Sequence, residues 1–244
     1  MHHVFETMGT VASIDAPRDI VGDIERLFED YERRFSLHRP DSEISRIARG
    51  ELALPDASDE MIASYTRALA WRARTDGAFT PHRPDGVLDL NGIVKAEAVE
   101  RAGELLDEAG CRRWTINVGG DILTRSRAPL GIVDPHRRSS LLCSVVLSPG
   151  RRALATSGSA ERGDHIWRGG DGAPAEFVHV TVIADDIVTA DVVATAIVAG
   201  GGATLDELTD RLDIDVLGVD RDGALVATPG FRGALVRSEN PAVA

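Results

Sequence analysis

The apolar segment TADVVATAI, residues 189–197, contains two oxygen ligands at helical spacing. Asp191 and Thr195 are four positions apart, so on a helix both side chains lie on one face, within reach of one small ion. Their carboxylate and hydroxyl oxygens are hard ligands of the kind that Mg²⁺ binds. Two ordinary roles explain the same residues: Asp191 as a stabilising acid near the helix start, and Thr195 bonding back to a carbonyl. Taken alone, the pair favours these ordinary roles over a metal site.

Two glycine-containing segments are candidates for holding a phosphate or a flat ligand. In INVGGDI, residues 116–122, the glycines allow close approach to the main chain, and a tight turn or bulge explains them equally well. In DLNGIVK, residues 89–95, Asp89 and Asn91 precede a helix whose first turns carry Lys95. Helix-start amides beside a lysine can bind phosphate, although a capped helix with a solvated lysine is the more ordinary interpretation. Neither segment is a GxGxxG or P-loop motif.

One histidine lies in a segment whose composition suits proton transfer. ATSGSAERGDHIW, residues 155–167, places His165 in a polar loop, where an imidazole can act as a general base or a ligand, although most loop histidines do neither. The other histidines have no metal-ligand spacing, and we interpret them as surface or packing residues. His165 is therefore the histidine candidate for catalysis.

A mixture of strands and helices must position these segments. The irregular stretch 77–92, rich in Gly, Pro and Asp, separates two predicted helices. Helices and strands do not follow a regular βαβ repeat, which favours an α+β fold with mixed or antiparallel sheets and flanking helices. The patterns predict helices over 18–35, within 54–75 after a Pro/Asp turn, and over 93–110, 189–197 and about 203–212. They predict a polar loop leading into a turn over 35–47, a strand over 4–16, a strand within 112–123 that runs into a Gly-Gly turn, and strands near 129–133, 141–147 and 177–184. A closing hairpin turns at Asp222-Gly223.

Composition and charge limit the classes of function. The chain has 244 residues, enough for one large domain or two small, intimately packed ones, and we expect 238–244 to be a flexible tail. Its net charge of -12 argues against a nucleic-acid surface, and an anionic ligand would need a local donor set or a metal. There is no run of about 18 apolar residues and no signal-like N-terminus, so we expect a cytoplasmic protein without a membrane anchor.

Read in chain order, the motifs resemble one family. MGT near the N-terminus, PDSEISRI, GAF, DLNGIVK with AVERA, INVGGDI, ATSG with ERGDHI, and TADVVATAI form a series similar to the FAD:protein FMN transferases, the ApbE family. The resemblance runs from about Met8 to about Gly201, and the combination of NVGGD with TAD…AT is its most specific part. It implies an α+β, T-fold-like architecture and one ApbE-like domain over residues 1–244, either undivided or made of two intimate subdomains.

The resemblance also implies a reaction and its site. Members of the family bind FAD and Mg²⁺, move FMN onto a Thr or Ser hydroxyl of a target flavoprotein, and release AMP. By the same resemblance Asp191, through the metal, and His165, as proton acceptor, are the catalytic residues. Carried over position by position, the metal ligands are Gly92, Asp191, Ala194 and Thr195, and the FAD contacts are Met8, Ala78, Phe79, Thr80, Asp89, Lys95, Gly119, Gly120, Asp121 and His165.

Several positions depart from the family pattern. Thr80 stands where Asp usually follows GAF, His38 where a tyrosine is usual, and Ala96 follows Lys95 where glycine is usual. After His165-Ile166 the chain continues WRGGDGAPAE instead of DPxTG. Two alternatives to transfer are therefore open: an Mg²⁺-dependent hydrolase that splits FAD into FMN and AMP, and a non-catalytic FAD-binding protein.

Overall fold

An eight-stranded antiparallel sheet organises the protein, whose computed structural model describes residues 1–158 and 175–236. This sheet confirms the α+β class with antiparallel strands. The segment around His165 and the predicted tail 238–244 lie outside the described residues. In spatial order the strands are β1 (His2–Thr7), β2 (Thr10–Asp15), β3 (Thr115–Val118), β4 (Asp121–Thr124), β7 (Ala153–Gly158), β8 (Phe177–Ala184), β9 (Asp215–Asp220) and β10 (Leu225–Ala227), and a separate pair joins β5 (Leu130–Asp134) to β6 (Arg137–Val145).

The three long helices that precede β3 begin and end close to the predicted positions. Ser58 caps the third helix by accepting a hydrogen bond from the Met61 N–H, and the fourth helix ends just before Gly110, which has φ 75°. The helices are α1 (Arg18–Phe35), α2 (Glu43–Ala48), α3 (Asp59–Arg74), α4 (Asn91–Glu108), α5 (Ile187–Arg211) and α6 (Pro229–Ala234), with a 3₁₀ turn at Leu54–Asp56.

The two faces of the sheet bury two apolar cores. Alternate residues of β8, such as Val180 and Val182, face α5 and belong to the larger core, which also contains residues of α1 and α4. Ile183 points to the opposite face, where Leu154 and Phe231 belong to the smaller core beneath β5 and β6. The larger core, formed with α1, α4 and α5, therefore lies on one face of the sheet. Whether the cores correspond to separate subdomains stays a prediction.

The observed elements differ from the predicted ones in three respects. Residues 4–16 form the hairpin β1–β2 instead of one strand, because Met8 and Gly9 both have positive φ (48° and 72°) and make a two-residue turn. The stretch beginning ATSG was interpreted as a loop, but its first residues form β7. The short helices α2 and α6 were not predicted, because residues 35–47 were interpreted as a polar loop leading into a turn, and the helix start at Pro229 was overlooked.

The helix α5 forms the centre of the larger core. By length and composition alone it could cross a membrane, but its side chains from Ile187 to Val198 pack largely inside the protein. It is broken at Gly201, whose φ of 72° and ψ of -158° are not helical, and this break separates the two helices predicted over 189–197 and 203–212. We interpret α5 as a core helix, which places Asp191 in the protein interior.

Candidate active site

A cleft of about 980 Å³ lies where α1, the N-terminus of α4, the end of β7 and α5 come together. Its wall also includes the β1–β2 turn and part of the irregular segment 77–92. This volume suits a ligand larger than a typical metabolite. The cleft brings together nine of the residues predicted to bind cofactor or metal: Met8, Ala78, Phe79, Thr80, Asp89, Gly92, Lys95, Gly119 and Thr195.

Asp191 is buried in α5 and does not cap that helix. Asp186 is the N-cap of α5, accepting a hydrogen bond from the Thr189 N–H at 2.7 Å and another from the Thr189 hydroxyl at 2.7 Å. Asp191 lies further along α5, and only 3% of it is exposed. The capping explanation for Asp191 is therefore excluded. A carboxylate buried in an apolar helix is costly unless cations or donors compensate its charge.

Thr195 lies one turn after Asp191 and lines the cleft. Its hydroxyl is 2.9 Å from the Ser157 hydroxyl on β7. The Thr195 hydroxyl thus contacts the sheet, rather than a carbonyl of its own helix as the ordinary interpretation of this residue expects. Asp191 and Thr195 thus place two hard oxygen donors on the side of α5 that approaches the cleft.

The other two predicted metal ligands differ in position. Gly92, at the start of α4, lines the cleft, and a Cβ there would lie 2.9 Å from the Phe79 ring. Ala194 is fully buried and is not part of the cleft wall. Because an alanine side chain has no ligand atom, this residue could contribute only its carbonyl oxygen. Within residues 1–158 and 175–236, no group of three or more His, Cys, Asp or Glu side chains is clustered as a metal site. The oxygens available from Asp191, Thr195 and Gly92 fit a hard cation such as Mg²⁺ better than a soft one.

Lys95 and Asp121 form a buried ion pair at the cleft. Only 5% of the Lys95 side chain and none of the Asp121 side chain is exposed. The other Asp121 oxygen accepts a hydrogen bond of 3.1 Å from the Thr156 N–H. Lys95 still contributes to the cleft wall, whereas Asp121 does not. The carboxylate that follows the two glycines therefore faces the interior.

The glycines before Asp121 have different surroundings. Gly119 has φ 60° and lines the cleft, and a Cβ there would lie 2.7 Å from the Thr10 hydroxyl. Gly120 has φ 94° and donates its N–H to the Asn117 side chain at 3.0 Å, outside the cleft wall. The pair makes the tight β3–β4 turn, and only Gly119 also meets the open space. The roles of these residues in FAD binding stay predictions.

Several cleft residues were not singled out from the sequence. Tyr31 and Glu32 come from α1, Thr156 and Ser157 from β7, and Arg138 from β6. The α1 residues belong to an amphipathic helix whose pattern gives no sign of ligand contact, and Ser157 lay within the ATSG motif without being named. Arg138 carries no sequence signal, because only the tertiary packing of β5–β6 brings it to the cleft.

The electrostatics of the cleft differ from those of the whole protein. Burial and the carboxylates of Glu97 and Glu100 raise the pKa of Tyr31 to about 12, so its phenol stays protonated and can donate a hydrogen bond. The Arg138 side chain is exposed in the cleft and forms no ion pair with a residue that the structure describes. A cation and neutral donors are therefore available to an anionic ligand within an acidic protein.

The comparisons with known proteins agree with the motif series. A family model described as the ApbE family matches residues 8–83 and 82–217. The chain belongs to the ApbE family. An FAD:protein FMN transferase from Salmonella typhimurium is 27% identical over 176 residues, covering 64% of this chain and 50% of that relative. An FAD:protein FMN transferase from Vibrio cholerae is 25% identical, covering 73% of this chain and 72% of the relative. The matched region thus spans about half the length of the Salmonella relative.

Solved structures of the family share the fold. The flavin transferase ApbE from Vibrio cholerae superposes with a TM-score of 0.77 at 21% identity, covering 96% of this chain and 99% of that one. An ApbE protein from Thermotoga maritima gives a TM-score of 0.80 at 21% identity, covering 97% and 99%. At these identities the likeness establishes the architecture, and the ApbE-like fold expected from the motifs is confirmed.

Proposed function

We propose that this protein is an Mg²⁺-dependent FAD:protein FMN transferase, which moves FMN from FAD onto a Thr or Ser hydroxyl of an acceptor flavoprotein and releases AMP. The observation that carries the proposal is a cleft of about 980 Å³ lined by Thr195 and by seven of the predicted FAD contacts, with Asp191 buried one helical turn before Thr195. Relatives of this chain are named FAD:protein FMN transferase, which supports the same reaction.

The proposed metal site uses oxygen ligands from two helices. Asp191 and Thr195 on α5, with a main-chain carbonyl at Gly92 and a further one at Ala194, would hold Mg²⁺. When bound, the cation would neutralise charge on the FAD pyrophosphate as AMP leaves. Asp191 supplies the negative charge that makes the site selective for a cation, since the other proposed ligands are neutral.

The chain's own groups account for binding and orientation. Phe79, backed against Gly92, and Gly119 offer flat surfaces to the dinucleotide, and Arg138 offers a cation to its phosphates. In the transfer, the acceptor oxygen bonds to the phosphorus of the FMN moiety while the bond from that phosphorus to the AMP oxygen breaks. The acceptor's proton goes to a base, for which we propose His165.

The proposal is tested by following all products of one incubation. The purified protein is mixed with FAD, with Mg²⁺ or a chelator, and with a flavoprotein domain carrying an acceptor Thr or its Thr→Ala variant. We expect AMP release and covalent flavin on the Thr acceptor only, and only with Mg²⁺. AMP with free FMN in the presence of the acceptor would indicate hydrolysis, and retained FAD without AMP would indicate a binding protein.

Variants of α5 make the test specific for the metal site. Asp191→Asn keeps the shape of the side chain but loses its charge, so we expect Mg²⁺-dependent turnover to fall by at least about 100-fold, as for loss of a group that stabilises transition-state charge. Asp206, an exposed acid on the same helix, provides the matched control, and Asp206→Asn should transfer FMN normally. Full activity of Asp191→Asn would remove the metal assignment.

A further inference from the structure

A series of polar contacts runs along the cleft wall from α4 to α5 through the buried Asp121. Lys95 on α4 pairs with Asp121 at the start of β4, and both side chains are buried. Asp121 Oδ1 accepts the main-chain N–H of Thr156 at 3.1 Å. The next residue, Ser157, has its hydroxyl oxygen 2.9 Å from that of Thr195. This series of contacts therefore connects α4, which carries Gly92, with α5, which carries Asp191.

Asp121 acts where the pairing between β4 and β7 ends. The two strands pair through Ile122 with Leu154 and through Leu123 with Ala153. Beyond these pairs the chain turns away at Gly119-Gly120, so the end of β7 lacks a strand on this side. The Asp121 carboxylate takes the place of a main-chain acceptor for the Thr156 N–H.

The opposite side of β7 is held by a regular ladder. Ser157 pairs with Val180 of β8, and the Thr156 hydroxyl is 2.9 Å from the hydroxyl of Thr181. With the Asp121 carboxylate on one side and β8 on the other, the backbone of Ser157 is fixed from both sides. Its hydroxyl is thereby brought to Thr195 on α5.

We infer that Ser157 and Asp121 are positioning residues: Ser157 sets the orientation of the Thr195 hydroxyl, and Asp121, neutralised by Lys95, fixes the strand end that carries Ser157. The inference rests on the proposed role of Thr195 as an Mg²⁺ ligand. A hydroxyl has one proton and two lone pairs. When Thr195 donates its proton to the Ser157 oxygen, a lone pair of Thr195 remains for the cation. Partners of this kind orient metal ligands in many sites.

The inference changes the role expected for Asp121. The family resemblance implies an FAD contact there, but the side chain is fully buried and is not part of the cleft wall. A positioning role explains its burial, its pairing with Lys95 and its contact with the Thr156 N–H together. It also predicts that Asp121 matters to the protein before any FAD is bound.

Ser157→Ala is the direct test, with Mg²⁺ binding measured by calorimetry on the full chain, with and without FAD. We expect the affinity for Mg²⁺ to fall by about 10-fold, the lower end of the usual effect of removing such a partner. The melting temperature of the ligand-free protein should hardly change, because the Ser157 backbone remains paired with β8. Ser157→Thr retains a hydroxyl and should restore most of the affinity.

Thr115→Val is the matched control. It removes another hydroxyl–hydroxyl contact, 2.7 Å from Thr115 to Thr124 across the β3–β4 hairpin and away from the cleft wall. Its Mg²⁺ affinity should equal that of the wild type. Wild-type affinity in Ser157→Ala would overturn the inference while leaving the proposed function intact. A wild-type protein that binds no Mg²⁺ with or without FAD would overturn both.

A second variant, Asp121→Asn, tests the other half of the inference. It should lower the melting temperature of the ligand-free protein by about 10 °C, because Lys95 is left as a buried cation without a counter-charge. Lys95→Met with Asp121→Leu, which removes both charges, should recover part of this loss. An unchanged ligand-free melting temperature, with only the affinity for FAD reduced, would instead make Asp121 an FAD contact and overturn its positioning role.

Discussion

Three aspartates of this protein differ in burial and in position. Asp121 faces the ammonium of Lys95 and a main-chain N–H, so its charge is balanced inside the protein. Asp186 is satisfied by the start of its own helix. Asp191 is buried in α5, one turn before Thr195, which lines the cleft. We propose the metal at Asp191 because its carboxylate and the Thr195 hydroxyl are four residues apart on one side of α5.

His179 provides a pH-dependent term in the stability. It is buried on β8, 3.2 Å from the Thr181 hydroxyl. Burial lowers the pKa of His179 to about 4, although the nearby Asp134 carboxylate opposes this shift. Between this pKa and the ordinary value of about 6.5 the unfolded chain binds the proton more readily than the folded protein. Acidification through this range therefore favours unfolding.

We predict that His179 makes the protein lose about 2 kcal/mol of unfolding free energy between about pH 7.5 and about pH 5. The measurement is urea unfolding at both pH values, for the wild type and for His179→Gln, which has no proton to gain. The loss in the variant should be smaller by that amount. His136→Gln, a change at an exposed histidine, should keep the wild-type pH dependence. Equal losses in wild type and His179→Gln would contradict the prediction.

Single residues of the site could be predicted only where a motif carried them. Spacing singled out Asp191 and Thr195, and the structure assigns the capping role to Asp186, while the ligand role of Asp191 and Thr195 stays a prediction. Ser157 and Arg138 were missed because their contacts come from strands distant in sequence. The sequence could not assign Asp121 to the interior, since its position after Gly119-Gly120 is equally compatible with a cleft wall.

At the scale of elements, the helices were easier to predict than the strands. Amphipathic spacing predicts α1, the cap at Ser58 predicts the start of α3, and Gly110 predicts the end of α4. These signals are local in the sequence. The strand β7 has small residues and no alternation, and it exists because β4 and β8 pair with it. The edge hairpin β1–β2 was read as one strand since a two-residue turn hardly interrupts the pattern.

The start of α5 offers a test that separates its cap from its proposed ligand. Asp186→Ala removes both hydrogen bonds to Thr189, so we predict a loss of about 1 kcal/mol in the free energy of unfolding. Asp186→Ser, which retains a capping oxygen, should recover most of it. Denaturant unfolding gives the energies, and calorimetry should find an unchanged affinity for Mg²⁺. A lost Mg²⁺ affinity with unchanged stability would mean that Asp186, and not Asp191, is the ligand.

At the scale of the whole molecule, the protein and its proposed substrate, FAD, have charges of the same sign. The chain has 39 acidic residues against 27 Lys and Arg, a net charge of -12, whereas the FAD pyrophosphate is an anion. Long-range repulsion must therefore be overcome by local groups. Of the cations at the cleft wall, Lys95 is paired with Asp121 and Arg83 lies 3.0 Å from Asp85. Arg138 has no carboxylate of the described residues within ion-pair distance.

We predict that Arg138 contributes the local attraction. Arg138→Gln should weaken FAD binding about fivefold at low salt, the upper range for an exposed charge pair, and the difference from wild type should shrink as salt is added. Arg137→Gln is the matched control, since Arg137 lies 3.4 Å from Asp134 and outside the cleft wall. Fluorescence titration of FAD at two ionic strengths gives all the affinities. If both variants lose affinity equally, total charge and not the position of Arg138 governs binding. If only Arg138→Gln loses affinity, the position of Arg138 at the cleft wall governs binding, and β6 contributes to the binding site through this side chain.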